Sequence, residues 1–299
     1  MNKPLEGTVA LVAGATRGAG RGIAWSLGEA GAAVYCTGRS TRAKPAAPGR
    51  PETVEEAAEG VTARGGRGIA AVVDHTQPAQ VEALIARIRA EQGRLELLVN
   101  DVWGGDELCE WGKPFWELSL DKALLMLQRA VHTHLITARL AVPLMLAGKR
   151  GLVIEVGDGD GYWYRQNLVY DLVKTSVLRL AFGMAEELRP RGLAALAITP
   201  GFLRSEAMLD HFGVTEANWR DGAAKDPHFA QSETPFYIGR AVAALAADPG
   251  VAAKSGRAFN TGDLAREYRF TDVDGGQPDW MAYARREIPH LFADPFVRR

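Results

Sequence analysis

The chain has 299 residues, 47% apolar and 24% charged, enough to bury one large core, so a single domain over 1–299 is the default expectation. A formal net charge of -1, with acids and bases interspersed, excludes the broad positive field that would recruit nucleic acid or an anionic membrane and points to a small-molecule enzyme. The start of the chain lacks the basic and apolar regions of a signal peptide, and no apolar run reaches the roughly 18 to 20 residues that span a bilayer. Cys36 and Cys109 form neither a disulfide framework nor a zinc pattern, so a cytoplasmic protein without a metal is expected.

The first apolar run, Val9–Ala13, has strand length and stops at Gly14. Gly14-Ala15-Thr16-Arg17-Gly18-Ala19-Gly20 joins it to a helix, 18–30, in which Ile23, Ala24 and Leu27 recur at helical spacing before Gly31. Glycines between a strand and a helix let the backbone turn tightly and approach a pyrophosphate, whose charge is met by amide N–H groups at the helix start. The next strand, Ala33–Thr37, runs into Gly38, Arg39 and Ser40. A dinucleotide-binding unit that takes NAD carries an acid here, roughly 20 residues after the loop, on the ribose hydroxyls. An acid would repel a 2'-phosphate, whereas the Arg39 fork can pair with it, Arg17 can add a second cation, and Ser40 stands beside them. NADP(H) is the expected cofactor.

Further strands are expected at Gly68–Val73, Leu95–Asn100, Leu152–Val156, Leu193–Thr199 and Arg257–Asn260. Helical patterns lie between them at 52–64, 78–92, 119–147, 168–189 and 236–247. Such alternation requires right-handed crossovers and predicts an α/β fold, a doubly wound Rossmann-type parallel sheet. Two connections break the rhythm, Ser40–Pro51 and the substrate-loop candidate at about 202–235, and both follow strand carboxyl ends where such sheets bind ligands. A C-terminal extension, about 263–299, carries Trp280, Tyr283, Ile288, Leu291 and Phe292 and is expected to pack on the body.

Tyr170 and Lys174 stand one helical turn apart on a shared face, and a nearby cation favours a phenolate. Thr199-Pro200-Gly201 follows the sixth strand, with Ser205 shortly after. The G-x-x-x-G-x-G loop, the Tyr170/Lys174 pair and the Pro200-Gly201 segment, in this order from residue 8 to about residue 262, resemble the short-chain dehydrogenase/reductase family. Within it, the insertion after Arg39 and the Trp/Phe-rich stretch 103–116 resemble the dehydrogenase/reductase member 1-like subgroup, which implies carbonyl reduction with NADPH. The resemblance implies that Tyr170 is the acid/base, that Lys174 lowers its pKa and binds the nicotinamide ribose, and that Pro200, Gly201 and Ser205 hold the carboxamide. It makes Asp74 an adenine contact and Asn100 the first residue of an N-N-A-G signature whose remainder is replaced by Asp101, Val102 and Trp103. It also implies a homodimer or homotetramer built through the fourth and fifth helices.

Two expected residues are missing. Asp158 stands where the family has a catalytic Ser, and the family's helical Asn falls near Ala130, where neither His132 nor His134 copies it by spacing. A protonated Asp158 could donate to a substrate carbonyl, whereas an ionised one would repel the developing alkoxide. Tyr162 or Tyr164, in the glycine- and aromatic-rich loop after the fifth strand, could donate instead. D-x-D-G at 158–161 lacks the further acids of a calcium loop, and an i, i+2 His pair does not share a helix face, so His132 and His134 read as core histidines. Trp103, Trp111, Phe115, Trp116, Phe202, Met208, Phe212 and Trp219 are candidates for an aromatic-lined substrate pocket. The leading function is hydride transfer between NADP(H) and a carbonyl/alcohol substrate; the alternatives are a scaffold redirected to non-redox acid/base chemistry and a non-catalytic dinucleotide-binding regulator.

Overall fold

Side chains alternate direction along β1 (Val9–Ala13), and both directions are buried, so the strand sits inside a sheet covered on each face. Ala10 and Val12 face one helical layer, Val9 and Leu11 the other. The same holds for β2 (Ala33–Gly38), where Val34 and Cys36 oppose Tyr35. The remaining strands are β3 (Arg67–Val72), β4 (Leu97–Asn100), β5 (Gly151–Val156), β6 (Leu193–Thr199) and β7 (Ala258–Asn260). All pair in parallel in the order β3-β2-β1-β4-β5-β6-β7. The doubly wound α/β sheet expected from the sequence is therefore the one observed. This computed structural model describes residues 3–46, 49–148 and 150–292, so part of the connection after Ser40 and the end of the C-terminal extension lie outside the described residues.

The helices are α1 (Gly18–Glu29), α2 (Val54–Ala63), α3 (Pro78–Gln92), α4 (Leu120–Leu127), α5 (Thr133–Ala147), α6 (Leu168–Leu188), α7 (Glu206–Phe212), α8 (Pro235–Ala247), α9 (Thr261–Tyr268) and α10 (Trp280–Glu287). Ile23 and Leu27 of α1, Val54 and Val61 of α2, and Ile238 and Leu245 of α8 cover one face. Val81, Leu84 and Ile88 of α3, Ala141 and Met145 of α5, and Leu188 of α6 cover the other. Pairing runs Ala13↔Thr37 on one side of β1 and Ala13↔Asn100 on the other, and the strand order reverses there. The carboxyl ends around that reversal are where such sheets place ligands.

Three differences from the sequence reading follow from local chemistry. The helix expected over 119–147 is broken by a π-helical segment, Gln128–His132, into α4 and α5. There the Thr133 hydroxyl donates to the Arg129 carbonyl at 2.7 Å, a side-chain bond that competes with the backbone ladder and bends helices. Contrary to the sequence expectation, Leu120–Ala147 is long and apolar enough by length and composition to cross a membrane; in this fold its Ala138, Ala141, Leu144 and Met145 pack against the sheet. The connection 202–235 is not open coil: α7 lies in it, and Phe212, Trp219 and Phe229 form a small core of their own.

Candidate active site

Tyr170 owes its place to the start of α6. Asn167 is the N-cap, buried, and its side-chain oxygen accepts from the backbone N–H groups of Val169 (3.1 Å) and Tyr170 (3.0 Å), while its amide donates to the Glu110 carbonyl at 3.1 Å. Gln166, just before it, takes the left-handed conformation (φ 60°), which turns the chain sharply into the helix. Lys174 follows one turn later on the Tyr170 face.

The Tyr170 hydroxyl donates to Asp158 Oδ2 at 2.6 Å. The other Asp158 oxygen takes no hydrogen bond among the described residues. Burial pushes the Tyr170 phenol well above its ordinary value, and the charge and hydrogen bond of Asp158 push it further. The Asp158 loop is held by Arg165, which is buried and donates to the carbonyls of Asp158 (2.7 Å), Gly161 (2.9 Å) and Trp163 (3.1 Å) while pairing with Asp171 at 2.8 Å. Asp160, further along, accepts from Asn260 (2.9 Å) and pairs with Arg285 of α10 (2.7 Å). The C-terminal extension thus buttresses the loop.

Trp103 lies edge-on to Tyr170 with ring centroids 5.7 Å apart, and Trp111 packs on it at 5.1 Å. The Lys174 ammonium sits 4.1 Å from the Trp103 ring centroid. Burial lowers the Lys174 pKa against the pull of Asp158, Asp101 and Asp106. The aromatic candidates separate into groups: Trp103 and Trp111 border Tyr170, Phe212 and Trp219 fill the core of the 202–235 segment, and Phe115 and Trp116 pack on each other in solvent. Tyr164 is exposed and Asp158 makes the bond to Tyr170.

The glycine loop has the close backbone approaches that a dinucleotide cradle requires. Gly14 has φ 90°, and a Cβ there would meet the Asp101 carbonyl oxygen at 2.4 Å; a Cβ on Gly20 would meet the Gly14 carbonyl oxygen at 2.2 Å, so only glycine permits this turn. Thr16 packs under Gly38, and Arg17 is the N-cap of α1 without a side-chain cap bond of its own. Gly18 N–H donates to Glu206 of α7 at 2.8 Å, and Glu206 also pairs with Arg21, so the 202–235 segment is clamped to the loop. Ser205 caps α7 by accepting from Met208 N–H (3.3 Å) and lies against Gly18. Arg39 is near Asp74 at 3.9 Å. Asp74 accepts from the backbone and hydroxyl of Thr76 at 2.9 and 2.7 Å; burial would raise its pKa, but these bonds and the Arg39 charge hold it below the usual carboxylate range. Ser40 is buried and accepts from Ala46 N–H at 3.1 Å. The cradle of glycines, helix start and two arginines fits an anionic dinucleotide.

Asn100 is buried below the loop and donates to Glu155 at 2.7 Å. His134 donates to Glu155 (2.5 Å) and to the Val102 carbonyl (3.0 Å); burial opposes its charge, yet Glu155 outweighs it and raises the pKa. His134 is a satisfied core histidine. Asp101, beside the glycine loop, is pushed by burial to about 7. The turn at Pro200-Gly201 rests on Glu233, which is fully buried: Oε2 accepts from Gly201 N–H (2.9 Å) and the Thr261 hydroxyl (2.6 Å), and Oε1 has no partner among the described residues. A cavity of about 340 Å³ opens at the opposite end of the sheet, lined by Lys3, Gly31, Arg67 and Arg94, and shares no residue with these motifs.

The structure brings Tyr170, Lys174 and Asp158 together and gathers the glycine loop, Arg39, Asp74, Pro200, Gly201 and Ser205 at the same sheet end. The sequence reading did not include Asn167, Arg165, Glu155, Glu206 or Glu233. Asn167 was within reach of the capping rule, three residues before Tyr170; Arg165 bonds groups within ten residues of itself but by no fixed spacing, and Glu155, Glu206 and Glu233 depend on partners far away in the chain.

The family described as short chain dehydrogenase matches residues 8–212. The chain belongs to the short-chain dehydrogenase/reductase family, whose members are oxidoreductases that use a nicotinamide dinucleotide. It is similar to dehydrogenase/reductase SDR family member 1 of Mus musculus (34% identical over 280 residues, 92% of this chain and 86% of the relative) and of Homo sapiens (32% over the same shares). Its fold is similar to that of a putative dehydrogenase from Xanthomonas campestris (TM-score 0.76, 23% identity, 99% of each chain).

Burial raises the Glu233 pKa from 4.5 to about 8, against the bonds from Thr261 and Gly201. Between these values the folded protein holds a proton that the unfolded chain has released, so Glu233 stabilises less and less as pH rises. Relative to Glu233→Gln, the wild-type unfolding free energy is expected to fall by about 3 kcal/mol from pH 4.5 to 7. Parallel denaturant titrations across that window check it, and two parallel profiles would contradict it.

Proposed function

We propose that the chain is an NADP(H)-dependent oxidoreductase acting on a carbonyl/alcohol substrate, with Tyr170 as the acid/base. The observation that supports it most is the meeting of Tyr170, Lys174 and Asp158 at the sheet end that also carries the glycine loop and the Pro200-Gly201 turn. The dinucleotide, when bound, supplies or takes the hydride. Gly14, Thr16, Gly18 and Gly20 would hold its pyrophosphate against the start of α1, and Arg17 and Arg39 would meet the 2'-phosphate, with Ser40 and Asp74 bordering the adenosine. Asn100 would support the floor beside the loop. Lys174 would hold the nicotinamide ribose, and Pro200, Gly201 and Ser205 the carboxamide.

Tyr170 is poised as an acid. Its phenol keeps its proton far above neutral pH, so it favours the direction in which a proton is given to a substrate oxygen. Asp158 constrains this chemistry: two like unit charges 4 Å apart repel by about 4 kcal/mol at an effective dielectric of about 20, so an uncompensated carboxylate beside a developing alkoxide slows the step. The shared Tyr170–Asp158 hydrogen bond also supports a second reading, non-redox acid/base chemistry with the cofactor as spectator. Exposed Leu124, Leu135, Leu172 and Phe182 on α4, α5 and α6 support a homodimer or homotetramer.

NADPH consumption over a panel of aldehydes, ketones and quinones tests the main reading. Tyr170→Phe is expected to lower kcat/KM by a factor on the order of a hundred or more; wild-type turnover that the substitution leaves intact would sink the acid/base role, and product formed without change in NADPH would favour the second reading. Arg39→Ala is expected to weaken NADPH binding by about tenfold and NADH binding by less than about twofold, measured by fluorescence titration. Equal losses for both would contradict NADP(H) preference.

A further inference from the structure

The acids and bases around Tyr170 do not balance. Lys174 faces Asp158, Asp101 and Asp106, while the Arg165 guanidinium is committed to Asp171 and to backbone carbonyls, leaving nothing for the Asp158 side chain. Asp158 accepts from Tyr170 through Oδ2, and its second oxygen is without a protein donor among the described residues. Trp111 packs on the ring of Tyr170, the residue that Asp158 bonds, and is 56% exposed, with no cation over its ring among the described residues. A free carboxylate oxygen next to an open aromatic face is a recognition site for a protonated amine.

We infer that the substrate is a carbonyl compound carrying a protonated nitrogen on the carbon next to the reacting one, an α-ammonio ketone or the corresponding amino alcohol, with the ammonium donating to the free Asp158 oxygen and resting on Trp111. The inference rests on the oxidoreductase reading of the same cleft and names its substrate class. It eases the electrostatic conflict in that reading, because the substrate adds a second cation to Lys174, which Asp158 shares with Asp101 and Asp106: the ammonium neutralises the carboxylate, and the alkoxide then forms beside a neutral pair. The step balances as a ketone reduction. The carbonyl carbon gains a hydride from the reduced nicotinamide, the C=O π pair moves to oxygen, and that oxygen takes the Tyr170 proton; the ammonium nitrogen keeps its protons throughout.

The test uses the full chain with NADPH and a near-isosteric pair, 2-aminoacetophenone with the amine on the side-chain carbon, protonated in buffer, and propiophenone. An ammonium also activates a neighbouring carbonyl inductively, so each kcat/KM ratio is read against Asp158→Ser and the isosteric Asp158→Asn. The ratio of amino ketone to propiophenone is expected to fall by about tenfold or more in both variants, with propiophenone reduction rising in Asp158→Ser. Independently of turnover, calorimetry should find the ammonium-bearing product alcohol binding about tenfold more tightly than its neutral counterpart in the wild type, with the difference lost in Asp158→Asn. Reduction of both ketones with a ratio that neither variant moves would overturn the inference and leave the oxidoreductase reading standing. Failure of NADPH to bind in the same calorimeter would overturn that reading, and the inference with it.

Discussion

The hydrogen bond from the Tyr170 hydroxyl to Asp158 joins the first turn of α6 to the loop leaving β5. Much of the surrounding structure serves to keep these two groups in register. Asn167 fixes the helix start, Gln166 accepts a left-handed conformation to reach it, and Arg165 ties the loop backbone together through the carbonyls of Asp158, Gly161 and Trp163. A short bond from a phenol to a carboxylate in a partly buried setting is charge-assisted and holds the proton on the phenol. A serine in place of Asp158 would offer the same phenol a neutral hydroxyl. The carboxylate therefore makes charge, rather than geometry, the feature that sets this cleft apart.

Two of the buried polar atoms without partners among the described residues lie at the same sheet end. Asn100 Oδ1 lies beneath the glycine loop and Glu233 Oε1 beneath the Pro200-Gly201 turn. Unsatisfied groups cost stability and cluster where structure yields to function. The two long connections are drawn over that end by ion pairs, Glu206 to Arg21 and Arg50 to Asp210 at 2.8 Å. These pairs connect α7 to both α1 and the segment after Ser40.

Most of the fold was legible in the sequence because strands of β1 and β6 type are short buried runs with turn residues at their ends, and the glycine loop is a purely local signal. Tyr170 and Lys174 were legible for the same reason, being one turn apart in a single helix. The π-helical break was not, since it depends on the Thr133 hydroxyl competing for the Arg129 carbonyl. His134 was read correctly as a core residue, but its partner Glu155 lies across the sheet, and no spacing rule links them. The same is true of Glu206 at Gly18 and Glu233 at Gly201, pairs created by the crossovers alone. Aromatic residues were the least legible: composition could not tell Trp103 and Trp111, at Tyr170, from Trp219, in a separate small core.

Burial and the Asp158 carboxylate together keep Tyr170 protonated. An ultraviolet difference titration of the tyrosinate band, with Tyr170→Phe subtracted, reads that proton directly. Tyr170 is expected to ionise above the ordinary tyrosine range in the wild type and at lower pH in Asp158→Asn. A Tyr170 phenolate forming near neutral pH in the wild type, or a titration that Asp158→Asn leaves unmoved, would contradict it.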